Sequence, residues 1–402
     1  MILMTDTDIL IIGGGMAGAS TAFHLAQHKR KVTLLERGEI ASEASGVNAG
    51  AIGATGWGAL PNLEAYLTTG SLALFKAMQL DLGYDIEFRA SGTLQTIHTE
   101  AQYNFIRDQV LRQRAQGYDF ELLTMREARS IEPEANPALL GCMYSPLRGQ
   151  ADPVKATRAF ATAAEQAGAN IRTQHEVKTI QARNDGSYQV VTSQGTFSAG
   201  VLVIAAGAWC APVGALLGLR IPIAPVRGQM WATPSIPPSV FHTISSAQSA
   251  MQWAMQPGHD AQTPPQLTHR GEQRLTRHLY GRQRRNGEVI FGGDRQLVGY
   301  NKTPDMNGIE INHDHAEEAL PFLSKLTIQR TWAGLMPFSL DGKPLIGQIP
   351  QHKNLYIVSG LASSGFGRGP MAGKLLADAI HSGHPHPALA EADPARCVTM
   401  GG

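Results

Sequence analysis

One stretch constrains this chain more than any other: Asp8-Ile-Leu-Ile-Ile12 runs straight into Gly13-Gly-Gly15-Met-Ala-Gly18. The apolar run has the pattern of a parallel strand buried on both faces. Ala19-Ser-Thr-Ala-Phe-His-Leu-Ala26 then repeats apolar residues at helical spacing, and Lys31-Val-Thr-Leu-Leu-Glu36 reads as a second strand ending in a carboxylate. Each glycine has a physical reason. Gly13 permits the tight turn, Gly15 lets the backbone approach a pyrophosphate, and Gly18 allows close helix–strand packing. The helix begins at Met16 and Ala17, where unpaired N–H groups are offered to phosphate. Glu36, with Arg37 after it, is placed to accept hydrogen bonds from the adenosine ribose hydroxyls. A glycine-rich turn with a surface Glu leaves this spacing unexplained, so a βαβ dinucleotide site is expected. The stretch alone does not separate NAD from FAD.

Composition closes off other classes. A hydrophobic fraction of 43% excludes a disordered chain, and the 43 glycines follow no collagen period. With 34 Lys+Arg against 33 Asp+Glu, no global basic field attracts nucleic acid, and no nucleic-acid partner is expected. Cys142, Cys210 and Cys397 are too scattered for a disulfide framework or a zinc site. A reducing, cytoplasmic setting follows, with no metal and no signal peptide expected. Val201–Leu219 is uncharged, but Gly207, Pro212, Gly214 and Gly218 interrupt it. It reads as strand, loop and short helix rather than as a transmembrane segment.

Later segments resolve the cofactor by resemblance. Ala41-Ser-Glu-Ala-Ser-Gly-Val-Asn-Ala-Gly50, Asp152-Pro-Val-Lys-Ala-Thr with Gly168-Ala-Asn-Ile171, and Val201-Leu-Val-Ile-Ala-Ala-Gly-Ala-Trp209 come in that order. Arg330-Thr-Trp-Ala-Gly-Leu-Met-Pro337, Asp341-Gly-Lys-Pro-Leu-Ile-Gly347 and Gly365-Phe-Gly-Arg-Gly-Pro-Met-Ala-Gly373 follow. In content and order these resemble the D-amino acid oxidase family of FAD-dependent amine oxidoreductases, which includes glycine oxidase and sarcosine oxidase. The resemblance runs from residue 8 to about 380. It implies FAD, held by the residues above together with Ser45, Asn48, Ala49, Gly50, Val177, Ala206, Gly207, Trp209, Gly334, Gly365, Phe366 and Gly367. Trp57 and Trp332 are expected in the core or against the flavin. The loop Gly365–Gly369 leads into a second helix N-terminus, whose N–H groups suit negative charge at the N1/O2 edge of a reduced flavin.

The fold implied is an α/β FAD-binding Rossmann-type domain of the glutathione-reductase kind, interleaved with an α+β antiparallel-sheet substrate domain. The expected boundaries are 1–84, 146–222 and 328–402 for the first, and 85–145 and 223–327 for the second. The implied reaction oxidises a C–N bond of a small amine or amino acid: a hydride passes to flavin N5, and the imine is hydrolysed. Such a site needs a cationic clamp for the substrate carboxylate, best supplied by a bidentate Arg.

Here the chain departs from its relatives. Glycine oxidase-like members carry the clamp Arg in a Trp-Ala-Gly-Leu-Arg-Pro element, where this chain has Met336, expected to line an apolar pocket. Arg368 becomes the candidate clamp, ahead of Arg227, Arg89 and Arg330. A secondary amine, an opine or a D-amino acid then fits better than glycine. Residues 328–347 contain no Cys, so the FAD is expected to be non-covalent, and residues 278–296 hold no oxygen-activating Lys. Oxygen and another electron acceptor both stay open. The six arginines of Arg270–Arg285 read as a solvated hairpin, and His313-Asp-His315 as a surface cluster before a helix. Three other readings are a subunit passing electrons to a partner subunit, an RNA-modifying relative and a non-catalytic assembly factor.

Overall fold

Alternation along the first strand organises half of the molecule. The computed structural model describes residues 4–53, 63–255 and 262–401, which leaves Trp57, Gly56 and Gly58 outside the described residues. In the strand Met4–Ile12, Ile9 and Ile11 are buried on one face and Leu10 and Ile12 on the other. Ile9 and Ile11 meet Phe23 of the helix Met16–Gln27, Phe75 of Leu63–Leu80, Phe160 of Pro153–Gln166 and Leu375 of Gly365–Ser382. Leu10 and Ile12 pack with Val190, Ile204 and Cys210, whose thiol burial pushes up to about 12. Double burial is what the uninterrupted apolar run requires.

Six strands of this eight-stranded sheet run in the order Leu345–Gln348, Leu355–Ser359, Thr196–Ile204, Met4–Ile12, Val32–Leu35 and Asn170–Arg172, all parallel except the first pair; Tyr188–Thr192 and Val177–Ala182 add an antiparallel arm beside Thr196–Ile204. The register aligns Ile12 with Leu35 and with Ile204, so Gly13, Glu36 and Ala205 leave the sheet together at its carboxyl edge. Val201–Leu219 divides into the end of this strand, a turn at Gly207–Trp209, the helix Cys210–Ala215 and a short strand, as its sequence suggests. The helix Pro153–Gln166 starts where Asp152 accepts the Lys155 N–H at 2.9 Å and Pro153 occupies the first turn.

The second sheet is largely antiparallel, in the order Arg330–Ser339, Ile223–Ser235, Glu288–Gly292, Tyr280–Gln283, Thr243–Ser246, Thr93–Ile97, Gly141–Ser145 and Glu121–Leu123. Thr243–Ser246 and Thr93–Ile97 pair in parallel. Its edge strand Arg330–Ser339 comes from the 328–402 stretch, and runs along Ile223–Ser235 with Gly334 opposite Gly228 and Met336 opposite Val226.

Two sequence readings change here. Arg270–Arg285 is an exposed hairpin only at its start, where His269–Arg270 pairs with Gln273–Arg274; from Arg274 on it is a set of braces. Arg282 is 1% exposed and donates to the carbonyls of Ala49 and Ala151 and to Gln150 Oε1. Arg284 pairs with Asp152 and Glu288, Arg285 with Asp85, Arg274 with Asp294 and Arg277 with Glu318. Likewise, His313-Asp-His315 lies inside the helix Met306–Ala319, with His315 fully buried and held to about 3 by that burial. Charge density marked both segments as surface. Partners distant in the chain reverse that assignment.

Candidate functional site

The carboxyl edge of the first sheet opens into a cleft of about 370 Å³ that reaches the face of the second sheet. That volume falls among the ~300–1,000 Å³ sites that take cofactors and small ligands. At one end Glu36 folds back over the turn. Its carboxylate accepts the Gly14 N–H at 2.7 Å and the Gly38 N–H at 2.8 Å. The helix Met16–Gln27 begins at Gly15 with no side-chain cap and no acidic residue in its first turn, while Ser45 Oγ accepts the Met16 N–H at 2.9 Å. A Cβ on Gly18 would stand 2.1 Å from the Gly13 carbonyl oxygen, and one on Gly13 would stand 2.3 Å from that of Ala205. Gly13 also has φ +121°, which an L side chain rarely adopts. Only glycines permit this three-way approach.

The helix Gly365–Ser382 meets the same cleft from the other side. It too lacks a side-chain cap and a first-turn acid, and Gly365 and Phe366 line the cavity. Two helix starts whose own N-cap residues supply no side-chain acceptor therefore aim their partial positive charge at one space. A wall near Glu36 stacks Arg37 on Trp209, with the guanidinium carbon 3.8 Å from the ring centroid. Trp209 in turn lies 5.6 Å from Tyr300, and Glu43 holds Arg37 at 2.6 Å. The second sheet contributes Gly228, Met230, Tyr280, Gly334 and Met336. Burial holds the Tyr280 phenol above its ordinary value, so it stays protonated at neutral pH.

Gly13, Gly15, Met16, Ala17, Glu36, Arg37, Ser45, Asn48, Val177, Ala206, Gly207, Trp209, Gly334, Met336, Gly365 and Phe366 all line this cleft. Four glycine or alanine positions sit behind it. Gly18 clasps Gly13, Ala49 gives its carbonyl to Arg282, Gly50 crosses Ala151, and Gly367 packs on Gly53. Trp332 lies half-buried, donating its indole N–H to Val47 O at 2.7 Å.

Arg368 is not among the lining residues. Its guanidinium turns to Glu64 at 3.0 Å and to Thr68 on the helix Leu63–Leu80. Arg148 is close enough to feel its charge, and burial lowers Arg148 to about 10. The other candidates are also engaged: Arg227 with Gln296 and Thr303, Arg89 with Gln150 and Gln283, and Arg330 with Glu288. Sequence reasoning missed His175, Glu176, Glu43, Met230, Tyr280 and Ser363 as lining residues. His175 and Glu176 adjoin Val177 and were within reach. Tyr280 and Met230 needed the register of the second sheet.

This edge-and-face arrangement defines a dinucleotide-binding oxidoreductase. Residues 8–379 match the DAO family, the FAD-dependent oxidoreductases, and the chain belongs to that family. Glycine oxidase from Geobacillus kaustophilus (strain HTA426) is 29% identical over 388 residues, spanning 93% of this chain and 92% of that protein. The crystal structure of glycine oxidase from Geobacillus kaustophilus matches with TM-score 0.83 at 26% identity, covering 98% of this chain and 99% of the other. The L-proline dehydrogenase from P. horikoshii matches with TM-score 0.83 at 26% identity over 98% of both chains. Sarcosine oxidase subunit beta of Rhizobium meliloti (strain 1021) is 26% identical over 389 residues, 94% of this chain and 85% of that one. The cofactor is FAD. The two helix starts, neither with an acid in its first turn, and a turn where any Cβ would collide suit its pyrophosphate and flavin ends. Among the described residues, no helix is long and apolar enough to cross a membrane.

Proposed function

We infer that this protein uses FAD to oxidise the C–N bond of a small amine or amino acid, giving an imine that water hydrolyses. One observation carries the reading: the cleft joins the dinucleotide edge to the Met230–Tyr280–Met336 face. A cofactor laid along the edge would therefore end against a mostly apolar wall. Bound FAD would supply the two-electron acceptor. The chain's own task is to hold the two reactants together and keep water out. Gly13, Gly15, Met16 and Ala17 would meet the pyrophosphate, Glu36 the ribose, and Val177 the adenine. Gly365 and Phe366 would face the flavin, and attachment through a cysteine is disfavoured, since among the described residues none of Cys142, Cys210 and Cys397 lines the cleft. In this reading residues 1–84, 146–222 and 328–402 carry the cofactor, except that the strand Arg330–Ser339 joins 85–145 and 223–327 in facing the substrate.

The test is an anaerobic screen of the purified chain against D- and L-amino acids, N-methyl amino acids, proline analogues and opines. Bleaching of the flavin by at least one of them is expected. If dithionite bleaches it and no amine does, the reading fails. Likeness to a sarcosine oxidase subunit beta supports a second reading, in which electrons leave through a partner subunit. Amine bleaching that does not turn over with oxygen favours that arrangement.

A further inference from the structure

One buried cation beside the cleft has no counter-charge. Arg295 follows the strand Glu288–Gly292 and is 6% exposed. Its Nη1 donates to Gln266 O at 3.3 Å and to Gln266 Oε1 at 3.2 Å. Its Nη2 reaches Ser363 Oγ at 2.9 Å and His278 Nε2 at 3.4 Å. Aromatic faces complete the surroundings, with the guanidinium carbon 4.1 Å from the Trp253 ring centroid and 5.9 Å from that of Phe338. His278 is itself kept neutral by burial and by Arg295. Among the described residues no carboxylate pairs with Arg295, nor with the buried Arg227 and Arg282, but Arg295 differs from those two in donating to a side chain that lines the cleft, Ser363. Burial lowers Arg295 only to about 10, so it remains charged at neutral pH. A buried charge without an opposite charge is costly, and an anionic ligand group reaching Ser363 would offset that cost.

Ser363 connects this cation to the cleft. Its oxygen accepts from Arg295, it lines the cavity, and among the described residues nothing accepts its own proton. Ala362 just before it holds φ +50°, a left-handed conformation that a non-glycine residue adopts at a cost, and it delivers Ser363 to the cavity wall. The backbone leading into Arg295 also runs beside the Met336 wall of the cleft. A Cβ on Gly228 would lie 2.9 Å from Met336 Cε and 3.6 Å from the carbonyl oxygen of Asp294, the residue before Arg295.

Resting on the amine-oxidation reading above, we propose that Arg295, acting through the Ser363 hydroxyl, positions the carboxylate of an amino- or imino-acid substrate, in place of the arginine that relatives carry where this chain has Met336. Ser363 donates its proton to the carboxylate while accepting from Arg295, and charge complementarity selects carboxylated amines over neutral ones.

Calorimetric titration of the FAD-loaded protein with benzoate and with its neutral counterpart benzamide tests this without a known substrate. Wild-type protein should bind benzoate at least ~10-fold more tightly than benzamide, as expected of a charge-assisted hydrogen bond. Arg295→Met should weaken benzoate roughly 30-fold and leave benzamide unchanged, and Arg295→Lys should recover part of the loss. A purely structural role would weaken both ligands together or empty the FAD site. If Arg295→Met does not fold, Ser363→Ala decides, with a selective loss of benzoate of about 5-fold or more expected. Equal benzoate affinity in wild type and in the folded variants overturns the proposal, as does a wild-type protein that does not prefer benzoate. Failure of the amine screen with benzoate selectivity intact would sink the oxidase reading and leave the carboxylate site standing.

Discussion

The two walls of the cleft are built on different principles. The first-sheet wall is made of backbone: two helix starts, a turn of glycines, and Glu36 tied to N–H groups of its own turn. The second-sheet wall is made of side chains, Met230, Tyr280 and Met336, set by the register of strands from separate parts of the chain. A backbone wall recognises what all its cofactors share, and its tolerance for substitution is set by sterics. A side-chain wall can change its ligand by exchanging residues such as Met230 and Met336, with no change of backbone. One wall is thus fixed by geometry, the other by chemistry.

The largest effect should come from breaking the backbone wall. Gly18→Val places a side chain where a Cβ alone would be 2.1 Å from the Gly13 oxygen. The expected product is folded protein with almost no bound FAD, read from the ratio of flavin to protein absorbance. Normal flavin content would show that the close approach is not needed. Next is the brace between the walls. Arg282→Met removes the donor to Ala49, Gln150 and Ala151 and leaves buried acceptors unpaired. A loss of about 3 kcal/mol in urea unfolding is expected, with a lower midpoint and little change in slope. An unchanged midpoint would mean the two walls stand independently. The smallest effect belongs to Met336→Leu, a volume-conserving exchange on the chemical wall. FAD affinity should stay within ~2-fold while KM for the amine found in the screen shifts by ~2–5-fold, corresponding to less than ~1.5 kcal/mol. A change in FAD affinity instead would place Met336 on the cofactor side.

Legibility in the sequence follows the same division. The glycine turn, Glu36, the Ala44–Gly50 segment and the Gly365 glycines were readable because backbone recognition leaves a local signature, a missing side chain at a fixed offset, although Gly365–Gly369 forms the first turn of the helix Gly365–Ser382 rather than a loop before it. Even there the details moved: Gly18, Ala49, Gly50 and Gly367 support the cleft from behind rather than line it. Side-chain roles were less readable, since each depends on a partner far along the chain. Arg368 turns to Glu64, 304 positions away, and Arg282 reaches Ala49, 233 positions away. Arg37 on Trp209 and Arg295 on Trp253 are stacks that no spacing rule announces. Antiparallel register determines which of Met230, Tyr280 and Met336 share a face, and alternation alone does not set that register.

The order of strands in the first sheet bears on how the molecule is made. Met4–Ile12 waits for Thr196–Ile204 to be synthesised before it gains that neighbour, and Thr196–Ile204 waits in turn for Leu355–Ser359. The helix Gly365–Ser382, which packs against the glycine-turn helix, emerges later still. At roughly 5–20 residues per second, the first glycine turn spends tens of seconds on the ribosome before its last wall exists. A nascent chain of this protein therefore completes its flavin cleft only after Gly365–Ser382 has been made, and a pause beyond residue 204 would hold a half-built nucleotide edge open to chaperones.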